Sequence, residues 1–279
     1  MTKRADLHIH TYYSDSSSSP EEVVAQALEA GIGCIAITDH DTIDGVQPVR
    51  EAAINADLEV LAGVELSTEV NGRDVHILGY LFDDKNPELT RRLVDFQNSR
   101  LERARKILAK LKALGVNNIS IEEVCAQSRS LSVGRPHIAA LLIEKGWVKD
   151  NRQAFDKYLA EGQPAYVPKS KQAPAEAVRL IHEAGGVAVM AHPMITNKDE
   201  LIPRLAEAGL DGLEVYYPNC LENIQHYYEG IARKFGLIMS GGSDAHGKVK
   251  SSTWLAKVTV PYSVVDNLKA SAEKRRNSK

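Results

Sequence analysis

The sequence predicts an α/β fold in which about seven strands alternate with helices, either as a parallel barrel or as a doubly wound sheet. Apolar segments of strand length recur along the chain, and segments with helical periodicity lie between most of them. The 279 residues suffice for one large domain of this class together with an insertion. Hydrophobic residues make up 43% of the chain and charged residues 25%, which is typical of a folded globular protein.

The first strand–helix–strand unit lies near the start of the chain. "ADLHIHT" predicts a strand, and "SPEEVVAQALEAG" predicts a helix. Ser19 suits the N-cap of this helix, Pro20 its first position and Glu22 a capping box, while Gly31 suits its end. The nearly continuous apolar run of "GCIAITDHD" indicates a second strand that is buried on both faces. "LEVLAGVELS" and "RDVHILGYL" predict two further strands.

The pattern becomes purely helical from residue 88. Residues 88–114 have apolar side chains at helical spacing, and three shorter helical segments follow, "SIEEVCAQS", "RPHIAALLIEKG" and "NRQAFDKYLAEG". We therefore expect a barrel or sheet built from 1–87 and 166–279, with a helical insertion over 88–165. The basic side chains of the long helix are interpreted as a solvated face rather than an RNA path; they include Arg91, Arg92, Arg100, Arg103 and Arg105.

Alternation of helices and strands resumes near residue 173. The predicted helices are "PAEAVRLIHEAGG", "DELIPRLAEAG" and "LENIQHYYEGIARKFG". The predicted strands between and after them are "GVAVMAHP", "LDGLEVYYP" and "LIMSGGSDAH". His182 and His226 lie within two of these helices without a partner motif, so we interpret them as surface or packing residues.

Histidines and acids recur where the predicted strands end. In a parallel barrel the carboxyl ends of all strands meet at one rim, so side chains that are distant in sequence would meet there. His8 and His10 lie on the same face of the first strand. The set is too large for one zinc ion and would give no stability without a cation, so it predicts two or three divalent ions. Its members are His8, His10, Asp15, His40, Glu65, His76, His192, Asp244 and His246. Nitrogen and oxygen ligands without a thiolate fit manganese, which we favour, or iron or zinc.

Charge and cysteine content exclude other classes of protein. The formal net charge of −3 and the pI near 6.3 argue against a protein that coats nucleic acid, so a small anionic partner is expected. Cys34, Cys125 and Cys220 have no metal or disulfide spacing, which fits a reducing cytoplasm, and we expect all three to be buried. The first ten residues do not resemble a signal peptide, and no apolar run reaches transmembrane length, so no membrane association is expected.

These motifs resemble the PHP (polymerase and histidinol phosphatase) family along most of the chain. The matching segments are "DLHIHTYYSD", "ITDHD", "GVE", "VHILGY", "AHP" and "SDAH". The resemblance implies a distorted (β/α)7 barrel with a trinuclear metal centre and a small capping insertion. It also implies three ion sites: His8, His10, Glu65 and Asp244 for one ion, Asp15, His40 and His246 for a second, and Glu65, His76 and His192 for a third.

The insertion after "HILGYLFD" and the segments "VGRPHIAALLIEKG" and "PAYVPK" resemble a stand-alone branch of this family. That branch removes the 3′-phosphate from nucleoside 3′,5′-bisphosphates and acts on short 5′-phosphorylated RNA. The expected reaction is attack on phosphorus by a hydroxide that the ions activate. Asp41, His192 and Asp244 are the predicted catalytic residues, and Asp41 either donates a proton or orients a ligand.

A bisphosphate needs a second anchor away from the metal ions. Arg135 and His137 flank Pro136 at a predicted helix start, where free N–H groups favour an anion and a guanidinium can bind phosphate through two hydrogen bonds. Lys169 in "YVPKSK" is a further candidate for substrate binding.

Three alternatives remain open from the sequence. A histidinol-phosphate-type phosphatase would use the same ligands on another substrate. A metal-dependent amidohydrolase also begins with HxH on its first strand, but it commonly adds a bridging lysine that this sequence lacks at a strand end. A non-catalytic metal-binding module is disfavoured because the ligand set is intact.

Overall fold

The computed structural model describes residues 3–168, 172–249 and 253–278. Its strands are β1 Arg4–Ile9, β2 Cys34–Ile37, β3 Glu59–Val70, β4 Arg73–Tyr80, β5 Val187–Met190, β6 Gly212–Tyr216, β7 Ile238–Gly241 and β8 Val260–Pro261. They form one eight-stranded sheet in the order β7-β6-β5-β4-β3-β2-β1-β8.

The sheet curls into a nearly closed barrel. Beyond β7, Ala245 forms a parallel bridge with Ile9 of β1, and its carbonyl accepts a hydrogen bond of 3.0 Å from the N–H of His10. The short β8 pairs antiparallel with the beginning of β1. The predicted α/β class and the distorted barrel are therefore confirmed, and the doubly wound alternative is wrong.

One strand runs against the predicted direction. β4 is antiparallel to both β3 and β5, whereas β1–β2, β2–β3, β5–β6 and β6–β7 are parallel pairs. β3 and β4 form a hairpin through Asn71 and Gly72, whose φ angles of 51° and 81° suit a tight two-residue turn. The start of β4 therefore lies at the rim where the parallel strands end.

Helices cover the outside of the barrel and build the insertion. Their bounds are α1 Pro20–Glu29, α2 Val46–Ala52, α3 Pro87–Ala113, α4 Ile121–Ala126, α5 Arg135–Glu144, α6 Asn151–Ala154, α7 Pro174–Glu183, α8 Pro193–Thr196, α9 Leu201–Glu207, α10 Glu222–Phe235 and α11 Tyr262–Asn277. A π-helical turn, Phe155–Leu159, continues α6. None of the helices in the described ranges is both long and apolar enough to cross a membrane.

The cap of α1 forms as predicted. The hydroxyl of Ser19 accepts from the N–H of Glu22 at 3.2 Å, and the carboxylate of Glu22 accepts from the N–H of Ser19 at 2.9 Å. Gly31 follows the helix with a φ of 66°, a conformation that glycine adopts without strain.

The insertion has its own hydrophobic cluster, separate from that of the barrel. It includes Ile107 and Leu111 of α3, Val124 of α4, and Ile138 and Leu142 of α5. The domain boundaries at residues 88 and 165 stay a prediction.

The cysteines differ in burial. Cys34 is buried, and burial raises the pKa of its thiol to about 12, which makes it unreactive. Cys125 and Cys220 are only half-buried, so the expectation that all three are buried is wrong for these two. His182 packs against Asp211 with 2.8 Å between Nε2 and Oδ2, and His226 is exposed.

Candidate metal centre

The predicted ligands come together at the rim of the barrel. His8 lies near the end of β1, and His40, His192 and Asp244 follow β2, β5 and β7. His76 reaches the same rim from the first half of β4, because that strand runs in the opposite direction. Side chains that are far apart in the sequence therefore surround one volume.

Glu65 of β3 lies at the centre of the cluster. Its Oε1 atom is 2.7 Å from Nδ1 of His76 and 3.1 Å from Nε2 of His192. Its Oε2 atom lies 3.2–3.3 Å from nitrogen atoms of three more imidazoles, those of His8, His10 and His40. A carboxylate in this position could contact more than one cation.

Asp244 and Asp15 complete the cluster on its other sides. The Oδ1 atom of Asp244 is 3.2 Å from Nε2 of His10 and 3.5 Å from Nε2 of His8. The Oδ1 atom of Asp15 is 3.3 Å from Nε2 of His246, and its Oδ2 atom is 3.8 Å from Nε2 of His40.

All of the predicted ligands except His192 belong to three overlapping groups, in each of which the donor atoms lie within 4.8 Å of one another. The groups are His8, His10, Glu65 and Asp244; His10, Asp15, His40 and His246; and His40, Glu65 and His76. Among the described residues, the buried Nδ1 atom of His40 lies 3.2 Å from Oε2 of Glu65 without forming a hydrogen bond. A buried nitrogen that faces a carboxylate oxygen without a hydrogen bond fits a divalent cation, which would satisfy its lone pair.

Charges in the cluster favour cation binding. Burial by itself would raise the pKa of Glu65, but the imidazoles that surround it outweigh burial and hold the pKa well below its usual range. Burial lowers the pKa of His40 to about 3, so this imidazole is neutral and able to bind a metal. Although burial lowers it, hydrogen bonds to Asp244 and Glu65 raise the pKa of His10 to about 9, so a cation displaces a proton there.

The sequence reasoning missed Glu214, a carboxylate that supports two of the ligands. Glu214 is fully buried on β6, accepts from Nδ1 of His8 at 2.9 Å and accepts from the backbone N–H of His192 at 2.8 Å. Donation from Nδ1 leaves the Nε2 atom of His8 free to bind a cation. An acid inside the apolar strand "GLEVY" was the signal that could have identified it.

Two further buried acids hold the loops around the ligands. Asp39 accepts from the N–H of Thr11 at 2.8 Å and from the hydroxyl of Ser14 at 2.6 Å, which fixes the loop before Asp15. Asp6 accepts backbone hydrogen bonds from the segments after β7, and burial raises its pKa to about 6.

All three predicted catalytic residues have left-handed backbone conformations. The φ angles are 27° for His192, 47° for Asp244 and 51° for Asp41. Such conformations cost about 1–3 kcal/mol each and persist only where the surrounding structure fixes them. The hydrogen bond from the N–H of His192 to Glu214 contributes to this fixation.

Asp41 points toward the insertion, and Arg100 of α3 turns toward it, so the prediction of a solvated face is wrong for Arg100. Its Oδ2 atom accepts from Nε of Arg100 at 2.6 Å, and its Oδ1 atom accepts from the N–H of Ser67 at 2.7 Å. Burial would raise its pKa, but Arg100 outweighs burial and lowers it. The carboxylate is therefore ionised and held, which favours the orienting role over that of a proton donor.

Arg135 lies beside the ligand histidines. Its guanidinium is 5.5 Å from the ring centre of Phe155 and 5.8 Å from that of Tyr166, and it lies 3.8 Å from Asp74. It lines a cavity of about 300 Å³ together with His76 and His192, which we call the Arg135 cavity. The predicted anchor thus adjoins the cluster.

His137 lies close by but is engaged within the protein, which corrects its prediction as part of the anchor. Its Nδ1 atom accepts from the N–H of Gly134 at 2.9 Å, and its Nε2 atom donates to the carbonyl of Ser14 at 2.7 Å. Burial lowers its pKa, so the ring is neutral and has no free N–H for a phosphate. Lys169 lies outside the described residues.

The fold and the cluster define a metal-binding α/β barrel, and comparison with known proteins gives its family. Residues 6–246 match the PHP domain model, and the chain belongs to the PHP domain family.

Three relatives show what this chain is similar to. It is 35% identical over 254 residues to a 5′-3′ exoribonuclease of Haemophilus influenzae, covering 88% of this chain and 91% of that one. It is 35% identical over 246 residues to a 3′,5′-nucleoside bisphosphate phosphatase of Chromobacterium violaceum, covering 86% of each. A solved structure described as a metal-dependent phosphoesterase from Bifidobacterium adolescentis matches with a TM-score of 0.87 and 29% identity over 96% of both chains.

Proposed function

We propose that the protein is a metal-dependent phosphoesterase that removes the 3′-phosphate from nucleoside 3′,5′-bisphosphates and also cleaves short 5′-phosphorylated RNA. The observation that supports this most directly is the cluster around Glu65, in which histidines and acids face one volume beside the Arg135 cavity. The names of the relatives from Haemophilus influenzae and Chromobacterium violaceum support the same class of substrate.

Two or three divalent ions, with manganese foremost and iron or zinc as alternatives, would occupy the cluster. We assign His8, His10, Glu65 and Asp244 to one ion, Asp15, His40 and His246 to a second, and Glu65, His76 and His192 to a third. The distances of 2.7 and 3.1 Å from Glu65 to His76 and His192 support the last assignment. When bound, such ions neutralise the charge of a phosphoryl group and lower the pKa of water.

The chain's own residues position the ligands. Glu214 fixes the tautomer and orientation of His8, and its second oxygen holds the strained backbone of His192. The ion pair with Arg100 keeps Asp41 ionised next to His40, so we assign Asp41 the orienting role. His192 and Asp244 are the ligands that we expect to contact the reacting phosphate.

Arg135 would bind the second phosphate of the substrate. Its guanidinium lines the same cavity as His76 and His192, so one molecule can contact both the cluster and Arg135. The two aromatic rings beside Arg135 limit its movement, which favours a fixed two-point contact with phosphate.

A comparison of substrates tests this proposal. Manganese-loaded protein is given adenosine 3′,5′-bisphosphate, short 5′-phosphorylated RNA and histidinol phosphate in parallel, and released phosphate and nucleotides are measured. We expect the bisphosphate to have the highest kcat/KM and histidinol phosphate the lowest. Faster turnover of histidinol phosphate, or hydrolysis of cyclic amides without any phosphatase activity, would contradict the proposal.

A further inference from the structure

A second cavity adjoins the ligand cluster at a different place. It has a volume of about 430 Å³ and is lined by Asp15, whereas the Arg135 cavity is lined by His76 and His192. We call it the Arg129 cavity, after one of its two cationic residues; the other is Lys248. Its volume lies within the range of sites for small organic ligands.

The first turn of α5 separates the two cavities. Arg135 lines one cavity, and Pro136 and His137 line the other. Through Glu65, His10 and His40, the ligand cluster extends from His76 at the first cavity to Asp15 at the second. A substrate whose phosphate lies in the cluster therefore has space on both sides of α5.

The lining of the Arg129 cavity suits a nucleoside. The guanidinium of Arg129 stacks on the ring of Tyr12 at 5.4 Å from its centre. Within the described ranges, no carboxylate lies within salt-bridge distance of Arg129. Aromatic rings and guanidinium planes stack on bases, and cations attract the phosphates of a nucleic acid chain.

Part of the cavity lining comes from α5 and is apolar. Pro136, Ala140 and Ile143 contribute hydrocarbon surface, and Gln127 and Asn151 add amide groups to the lining. An apolar lining with a few hydrogen-bonding groups suits a planar base.

We propose that the Arg129 cavity binds the nucleoside on the 3′ side of the scissile phosphate, so that the site accepts an RNA chain as well as a nucleoside bisphosphate. This inference rests on the proposed function, because it places the scissile phosphate in the cluster and the 5′-phosphate of the first nucleotide at Arg135. The second nucleoside, which stays bonded to the scissile phosphorus through its 5′ oxygen, then enters the Arg129 cavity.

The reaction on a 5′-phosphorylated dinucleotide balances with water alone. The oxygen of water forms a bond to phosphorus, the bond between phosphorus and O3′ of the first nucleotide breaks, and O3′ takes up a proton. The first nucleotide leaves with a 3′-hydroxyl, and the second keeps the phosphate on its 5′ oxygen. A nucleoside 3′,5′-bisphosphate undergoes the same step with nothing in the Arg129 cavity.

The test is the ratio of kcat/KM for the dinucleotide pApA to kcat/KM for adenosine 3′,5′-bisphosphate. In the double variant Arg129→Ala, Lys248→Ala we expect this ratio to fall about tenfold or more, because stacking and charge contacts to the second nucleoside are lost. Ala140→Phe tests the same cavity by filling it, and it should lower the ratio without removing a charge. Arg179→Ala on α7 is the control, since its exposed side chain lines neither cavity.

The outcomes are distinct. An equal loss for both substrates in the variants would overturn the inference and leave the proposed function standing. Wild-type turnover of the bisphosphate without turnover of pApA would overturn the inference together with the RNA part of the proposed function, and would leave the bisphosphate phosphatase standing. Failure of the manganese-loaded wild type on both substrates would instead refute the proposed function. Thermal unfolding of each variant shows whether it is folded, and Ala140→Phe decides the question if the double variant is not.

Discussion

Single carboxylates determine how the imidazoles of this protein are presented. Glu214 accepts from Nδ1 of His8, and Asp39 holds the loop before Asp15 through Thr11 and Ser14. These acids touch ligands or their loops, and they are as buried as the apolar core. A buried acid with two hydrogen bonds fixes the orientation of the groups that it contacts, whereas packing alone would allow several rotamers.

Replacing Glu214 with alanine should weaken metal binding. His8 would lose the acceptor for Nδ1, and His192 the acceptor for its backbone N–H, so we expect manganese affinity to fall about 10–100-fold. Calorimetric titration of metal-free protein with manganese measures this. Glu214→Gln should recover part of the affinity, because its amide oxygen can still accept one hydrogen bond. The exposed Glu207→Ala serves as control, and equal affinity in all variants would exclude the positioning role.

Arg135 gives a second prediction at this scale. Arg135→Ala should raise KM for adenosine 3′,5′-bisphosphate about 10-fold or more and raise KM for a nucleoside 3′-monophosphate far less, because only the bisphosphate carries a second phosphate. Steady-state kinetics on the two substrates measures the difference. Equal increases of KM would show that Arg135 is not a selective anchor.

At the scale of elements, the sequence predicted the helices better than it predicted the directions of the strands. Ser19, Pro20 and Glu22 predicted the start of α1 because capping is local chemistry. The reversal of β4 was missed although Asn71 and Gly72 are typical of a two-residue hairpin turn, since apolar patterning does not distinguish parallel from antiparallel strands. The buried partners of Asp41 and His137 depend on how the insertion docks, and a local pattern contains no information about that.

Asp211 connects three elements and should matter for stability. It accepts from His182 of α7 at 2.8 Å, from the N–H of Ala188 in β5 at 2.9 Å, and from Arg275 of α11 at 2.6 Å. Asp211→Asn should lower the free energy of unfolding by about 1–3 kcal/mol, measured by urea denaturation, because the half-buried His182 and Arg275 lose a charged acceptor. The exposed Asp57→Asn should change it little, and an equal effect of both would contradict the prediction.

The same carboxyl predicts a pH dependence. Burial raises the pKa of Asp211, but hydrogen bonds to His182 and Ala188 outweigh it and lower the pKa below the usual value. Its stabilising contribution is therefore complete above the ordinary aspartate pKa of about 4 and is lost as the pH falls through the lowered value. The difference between wild type and Asp211→Asn should shrink in that acidic range.

At the scale of the whole molecule, the predicted ligands lie at one rim of the barrel, and the insertion packs against the loop beside them. The sequence predicted that these histidines and acids would meet at one rim, because the strand ends of a barrel converge. The Arg129 cavity could not be predicted in this way, because its lining depends on how the insertion docks. Hydrogen bonds from the insertion to the loop of Tyr12, Tyr13 and Ser14 join the two parts. The candidate site is therefore shared between the barrel, which contributes the predicted ligands, and the insertion, which contributes Arg129, Arg135 and part of the cavity lining.

The central claim is that this rim binds a cluster of divalent cations, and manganese stoichiometry tests it most directly. Equilibrium dialysis of wild type, Glu65→Gln and the same-strand control Glu69→Gln should give two or three manganese ions per chain for wild type and control. Glu65 belongs to two of the three groups of donor atoms, so the Glu65→Gln variant should bind at least one ion fewer. A wild type that binds no manganese, iron or zinc, or a Glu65→Gln variant with unchanged stoichiometry, would contradict the account.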